Sequence, residues 1–150
     1  MREIRLGFVG AGQMGQCAHL RSYATVPGCR IVALAELRPR LRAQVAARYG
    51  IENTYPDHRG MLEAGGLDAV VAIQHFSLHG ALIPQLLEAG LPVFIEKPLA
   101  KSVAAGETIV AAADAADTWM MVGYHKRSDP AVMWAKQQIG RLQESGECGA

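Results

Sequence analysis

Residues 10–15 read Gly-Ala-Gly-Gln-Met-Gly, a G-x-G-x-x-G loop placed directly after an apolar run. Chemistry explains the spacing. The first glycine, Gly10, allows a tight turn. The second, Gly12, lets a pyrophosphate approach the backbone, and Gly15 lets a helix pack close to a strand. The helix that opens there, with Gln13 and Met14 in its first turn, offers free N–H groups and the positive end of its dipole. About 20 residues further on, Glu36 closes a second apolar run. A carboxylate there accepts the two hydroxyls of an adenosine ribose and repels a 2′-phosphate, which favours NAD over NADP. Arg38, Arg40 and Arg42 follow at once. They are read as the solvated face of a helix start; a pairing with a 2′-phosphate stays open, so NADP remains possible.

Other reactive side chains stand at the ends of later apolar runs. Ile73, Gln74 and His75 end one, Glu96 and Lys97 another, and His125 with Lys126 a third. His75 has two readings, an acid/base or substrate contact and a loop histidine bonded to backbone or cofactor. His125 and Lys126 either touch nicotinamide or substrate or are solvated loop charge. His79 caps or packs at a helix start, with cofactor contact as its other reading. His19 reads as structural on the flank of the first helix. The cysteines Cys17, Cys29 and Cys148 fit no metal spacing and form no CxxC pair. They read as free thiols of a reducing compartment, and no metal is expected.

These positions need elements to hold them. Strands are expected at 4–9, 30–35, 53–55, 68–73, 92–95 and 119–122. Helices are expected at 13–24, 39–49, 57–62, 79–89, 102–116 and 130–142. Leu41, Val45 and Tyr49 should face inward on one helix, Leu82, Ile83, Leu86 and Leu87 on another, and Val103, Val110 and Ala113 on a third. Alternating strands and helices with continuous apolar strands predict an α/β fold: a doubly wound parallel sheet in three layers, αβα. The chain has 150 residues, half of them apolar and 19% charged. That suffices for one self-standing domain. Lys+Arg number 15 against Asp+Glu 14, and aromatics make up 6%. Neither a basic surface nor a base-stacking platform for nucleic acid is indicated. No apolar run reaches 18 residues, so no membrane span is expected. The start, MREIRLGFVGAG, has no signal-peptide pattern, and a cytoplasmic location is expected.

Glu96-Lys97-Pro98, after a strand and a G-x-G-x-x-G loop, resembles the signature of the Gfo/Idh/MocA oxidoreductases. The segments VALAELRPR (32–40), LDAVVAI (67–73), LHGALIPQLLEAGLPVFIEKPLA (78–100) and MVGYHKRSDPA (121–131) are similar to that family as well. The resemblance implies a Rossmann fold and hydride transfer between NAD(P) and a secondary alcohol or ketone of a sugar, cyclitol or related polyol. It implies that Lys97 is the catalytic lysine, a partly buried ammonium that helps move the alcohol proton and steadies the developing oxyanion. The bland reading of Lys97 is a surface lysine paired with Glu96. His75 departs from the proline usual at that turn. The resemblance also implies a second α+β domain after this one, which forms the substrate floor, the usual oligomer interface, and an Asp and a His that act with the lysine. Residues 1–143 are therefore expected to form the cofactor domain and 144–150 a linker. By that reading the 150 residues alone bind cofactor with little turnover. The exposed apolar face of the last helix (Val132, Met133, Ala135, Ile139, near Trp134) predicts self-association. A stand-alone NAD(H)-binding regulatory or structural module is the alternative. A methyltransferase that binds S-adenosylmethionine shares the glycine loop and the acid but has no use for Glu96-Lys97-Pro98.

Overall fold

The computed structural model describes residues 2–147. Cys148 and the last residues of the expected linker lie outside them. The strands are β1 (Ile4–Val9), β2 (Cys29–Ala35), β3 (Asn53–Tyr55), β4 (Ala69–Ala72), β5 (Val93–Ile95) and β6 (Met120–Val122). They form one sheet in the order β3-β2-β1-β4-β5-β6, and each neighbouring pair is parallel. This is the order of the Rossmann fold. The expected doubly wound three-layer architecture is therefore what the chain forms.

The helices are α1 (residues 13–23), α2 (Pro39–Tyr49), α3 (His58–Ala64), α4 (His79–Glu88), α5 (Val103–Ala115) and α6 (Pro130–Ser145). Local chemistry sets their ends. Asp57 Oδ1 accepts from Gly60 N–H at the start of α3, and Ser102 Oγ from Ala105 N–H at the start of α5. Asp129 Oδ1 accepts from Ala131 and Val132 N–H at α6, whose first residue is Pro130. Helix α6 runs to Ser145 and is closed by Gly146 in the left-handed region. Glu144 and Ser145, expected in a linker, thus continue the helix.

Two cores flank the sheet. On one face Phe8, Leu34, Val71 and Ile73 pack with Leu20 of α1 and Val45 of α2. On the other, Val9, Val70, Ala72 and Ile95 pack with Met61 of α3, Ile83, Leu86 and Leu87 of α4, and Ile109 of α5. The inward stripe of α5 differs from the expectation. Gly106 and Ile109 are its buried residues, with Ala112 and Ala113 beside them, whereas Val103 and Val110 are exposed. Ile109 and Val110 stand 100° apart on a helix, so only one can face the core, and the larger side chain fills the space under β5. Helix α6 buries none of its residues.

Candidate functional site

The glycine loop, Glu36, the Ile73–His75 turn, Glu96 with Lys97, and His125 follow the carboxyl ends of β1, β2, β4, β5 and β6. In the order β3-β2-β1-β4-β5-β6 the chain turns back between β1 and β4, the switch point where such sheets hold ligands. The glycine loop follows β1 and the Ile73–His75 turn follows β4.

Gly10 has φ +91°, and a Cβ there would stand 2.7 Å from Ile73 O. Only glycine fits. Gly15 packs against the same turn, its missing Cβ 3.0 Å from Gly10 O, and Ile73 is buried behind both. Gly12 is different, because a Cβ there would meet nothing within 4 Å. The loop is thus open on one side and closed on the other. The first N–H of α1 to find a carbonyl is that of Gln16, on Gly12 O at 3.0 Å. The N–H groups of Gly12, Gln13, Met14 and Gly15 are left over for an acceptor from outside the helix. From Gly15 to Leu20 the helix takes the wider π form, a rare geometry that often marks functional sites.

Glu36 is buried at the end of β2, and its carboxylate is fully occupied. Oε2 accepts from Ala11 N–H at 2.9 Å and Arg38 Nη2 at 3.0 Å. Oε1 accepts from Arg38 N–H at 3.0 Å and Arg38 Nε at 2.8 Å. Burial alone would raise the acid's pKa. The Arg38 fork and the two backbone N–H groups outweigh it and hold the carboxyl at about 2. Arg42 Nη1 donates to Glu36 O at 2.6 Å. Arg38 and Arg40 are exposed, as the solvated-face reading expects, and Arg42 is half-buried; Arg38 and Arg42 are in addition fastened to Glu36.

At the far side, Gln74 Nε2 donates to Val9 O at 2.9 Å, while its Oε1 is buried without a partner among the described residues. His75 is exposed, and its Nδ1 accepts from Ser77 N–H at 3.4 Å and meets Ser77 Oγ at 2.8 Å. It caps its own turn. His79 is fully buried, with Nδ1 on Leu99 O at 3.0 Å. That bond ties the start of α4 to the turn that follows Lys97.

Lys97 itself is exposed, contrary to the expectation of a partly buried ammonium, because nothing among the described residues covers the end of β5 there. The Lys97–Pro98 peptide is cis. The Glu96–Lys97 side-chain pair of the bland reading is absent among the described residues. Glu96 instead meets His19 Nε2 at 2.8 Å and accepts from the Lys97 N–H at 3.1 Å. Burial pushes the Glu96 carboxyl up, but His19 and that N–H outweigh it and hold it below its ordinary value. His19 thus joins α1 to β5, with its ring 5.3 Å from that of Phe94. A helical signal for this existed: His19 lies four residues after Gly15, on the same side of α1. Its partner, 77 residues away, had none.

Tyr124, which the spacing did not single out, accepts from Leu99 N–H through its hydroxyl at 3.2 Å. The turn after Lys97 is so held from both sides, by His79 and by Tyr124. His125 begins a short 3-10 turn and is exposed. Lys126 Nζ binds Asp129 Oδ2 at 2.7 Å, so it braces the cap of α6. Among the described residues Cys17 and Cys29 are free thiols, and no cluster of three metal-ligating side chains occurs. No helix there is long and apolar enough to cross a membrane.

The sequence matches, over residues 4–124, a family model described as an oxidoreductase family with an NAD-binding Rossmann fold. It is 31% identical over 147 residues to scyllo-inositol 2-dehydrogenase (NAD(+)) of Bacillus subtilis, across 98% of this chain and 42% of that protein. Levoglucosan dehydrogenase of Pseudarthrobacter phenanthrenivorans is also 31% identical, over 93% of this chain and 37% of its own length. Among solved structures, scyllo-inositol dehydrogenase from Lactobacillus casei with bound NAD(H) and scyllo-inositol superposes with a TM-score of 0.83. There the identity is 26%, over 95% of this chain and 42% of that one. The chain spans about two-fifths of the length of the curated relatives it matches.

Proposed function

Since the chain belongs to the Gfo/Idh/MocA oxidoreductase family, we propose that it forms the NAD-binding half of an enzyme that oxidises a secondary alcohol of a cyclitol, sugar or related polyol, or reduces the ketone. The observation that carries this reading is one row of groups along the carboxyl edge of the sheet. It runs from Glu36 through four uncommitted N–H groups to Lys97. When bound, NAD supplies the hydride acceptor. The N–H groups of Gly12, Gln13, Met14 and Gly15 hold the pyrophosphate, and the open side of Gly12 leaves room for it. Glu36 holds the adenosine ribose. The buried, partnerless Oε1 of Gln74 accepts from a ligand donor, and Ile73 and His75 complete that wall. His125 approaches from the end of β6.

Lys97 Nζ, projecting from the end of β5, hydrogen-bonds the reacting oxygen. It takes part in the alcohol proton's departure and steadies negative charge on that oxygen. Glu96 fixes the backbone of Lys97 through its N–H bond. His79, buried and on Leu99 O, positions this turn from beneath rather than touching the cofactor.

The cofactor domain in this reading runs to the end of α6 at Ser145, and the chain after it leads toward the part that carries the substrate floor. Substrate discrimination and homo-oligomer contacts belong to that part. The free cysteines Cys17 and Cys29 support a cytoplasmic location. Calorimetric titration of the chain with NAD and NADH tests the reading. Binding is expected, and Glu36→Ala should weaken it. Turnover of inositols by the 150 residues alone should be slow or nil. Absence of binding overturns the proposal, and brisk turnover overturns the division of labour.

A further inference from the structure

The Glu36–Arg38 fork has consequences for which dinucleotide the site takes. A carboxylate offers about four acceptor positions, and the Glu36 carboxylate already receives four donors: Ala11 N–H, Arg38 N–H, Arg38 Nε and Arg38 Nη2. A ribose hydroxyl reaches that carboxylate only by displacing a bond, and the side-chain bonds of Arg38 are the ones able to leave. Arg38, by contrast, is not saturated. A guanidinium has five N–H donors, and Arg38 spends one at Nε and one at Nη2 on Glu36. Three remain, and the side chain is 63% exposed.

Those donors open onto a cleft of about 630 Å³ between α1 and α2, with Gly12, Gln13 and Gln16 on one wall and Arg38 on the other. Arg21 and Arg48 line its far end, and among the described residues no carboxylate lines it. The charge of Glu36 is neutralised by Arg38, and Arg42 sits on Glu36 O. The segment 36–42 thus carries three arginines against one acid. The acid that would exclude a 2′-phosphate is masked, and the mask itself presents donors suited to one.

Resting on the reading above that this loop binds a nicotinamide dinucleotide, we propose that Arg38 makes the site tolerant of both cofactors. The 2′-phosphate of NADP(H) is taken on the outward N–H groups of Arg38 without breaking the fork, whereas the 2′-hydroxyl of NAD(H) must loosen it. Arg38 then sets the ratio of the two affinities.

The test is calorimetric titration of the chain, and of Arg38→Leu and Arg38→Lys, with NAD and with NADP. The native chain should bind both with Kd values within about tenfold of each other. Arg38→Leu should weaken NADP and tighten NAD, moving the ratio by about 30-fold or more toward NAD. Arg38→Lys, which keeps the charge without the fork, should move it in the same direction by less. A merely structural role for Arg38 would move both affinities together. A native chain that binds NAD but takes NADP more than about 100-fold less tightly overturns this inference and leaves the cofactor reading standing. A ratio shifted by less than about threefold in both variants does the same. Failure to bind either dinucleotide overturns both.

Discussion

The two glycines at the ends of one tripeptide, Gly10 and Gly12, should fail in opposite ways when each receives a methyl group. Gly10→Ala forces a side chain into φ +91° and drives its Cβ to 2.7 Å from the Ile73 carbonyl oxygen. The left-handed conformation costs about 1–2 kcal/mol, and the backbone clash adds at least as much, because Ile73 O belongs to a buried turn. A loss of roughly 2–4 kcal/mol lowers Tm by about 6–12 °C in a domain of this size. Gly12→Ala meets no neighbour within 4 Å and needs no unusual φ. Alanine is a poorer helix cap than glycine by about 0.5–1 kcal/mol. It regains about 0.4–1 kcal/mol by restricting the unfolded chain. Tm should move by less than about 2 °C. The methyl nonetheless fills the approach to the four free N–H groups, so NAD affinity should fall by about tenfold or more. Differential scanning calorimetry and isothermal titration on the same preparations separate the two effects. If Gly12→Ala loses as much stability as Gly10→Ala, or keeps its NAD affinity, the assignment of a closed and an open side to the loop is wrong.

Glu36 gives a pH signature. Its folded carboxyl sits at about 2 against an ordinary 4.5, so its stabilisation is complete above about pH 5 and is lost as pH falls from 4.5 toward 2. That gap corresponds to about 3 kcal/mol, and solvent screening of Arg38 leaves about 2. Asp68, Glu96 and Asp129 are also held low, so urea melts between pH 6 and 3 should show a joint slope, from which Glu36→Gln should remove the share of Glu36. His79→Ala removes a fully buried ring and the hold on Leu99 O, so chemical denaturation should show about 2–4 kcal/mol less stability. A loss under about 0.5 kcal/mol would refute its role beneath the lysine turn. The unburied face of α6 should make the chain associate with rising concentration in sedimentation experiments, and Trp134→Glu should reduce it; a native chain monomeric at all concentrations refutes that.

The sequence made most of the sheet legible because β2, β4, β5 and β6 are nearly continuous apolar runs, as buried parallel strands require. The loop glycines and Glu36 were legible because their backbone demands and positions are local, whereas Lys97 stood out only through the family resemblance. What was not legible depends on partners distant in sequence. His19 meets Glu96 across 77 residues, and Tyr124 meets Leu99 across 25. Side-chain choice also escapes pattern reading. Arg38 looks the same in sequence whether it points to solvent or folds back on Glu36. In α5, valine and isoleucine have nearly equal apolar character, and only packing under β5 decides that Ile109 turns inward and Val110 out.

Strand β6 is a three-residue sheet edge, with Met121 and neighbouring Trp119 exposed beside Phe94 on one face. Short edge strands with little apolar cover open at low free-energy cost, and their amides exchange with solvent long before the global unfolding limit. Yet the Tyr124 hydroxyl that steadies Leu99 hangs from this strand. The order of the lysine turn is therefore thermodynamically tied to a short edge strand of the sheet. Amide exchange at Val122–Tyr124 and at Leu99 should rise and fall together, and whatever shields the bare face of β6 also quiets the backbone beside Lys97.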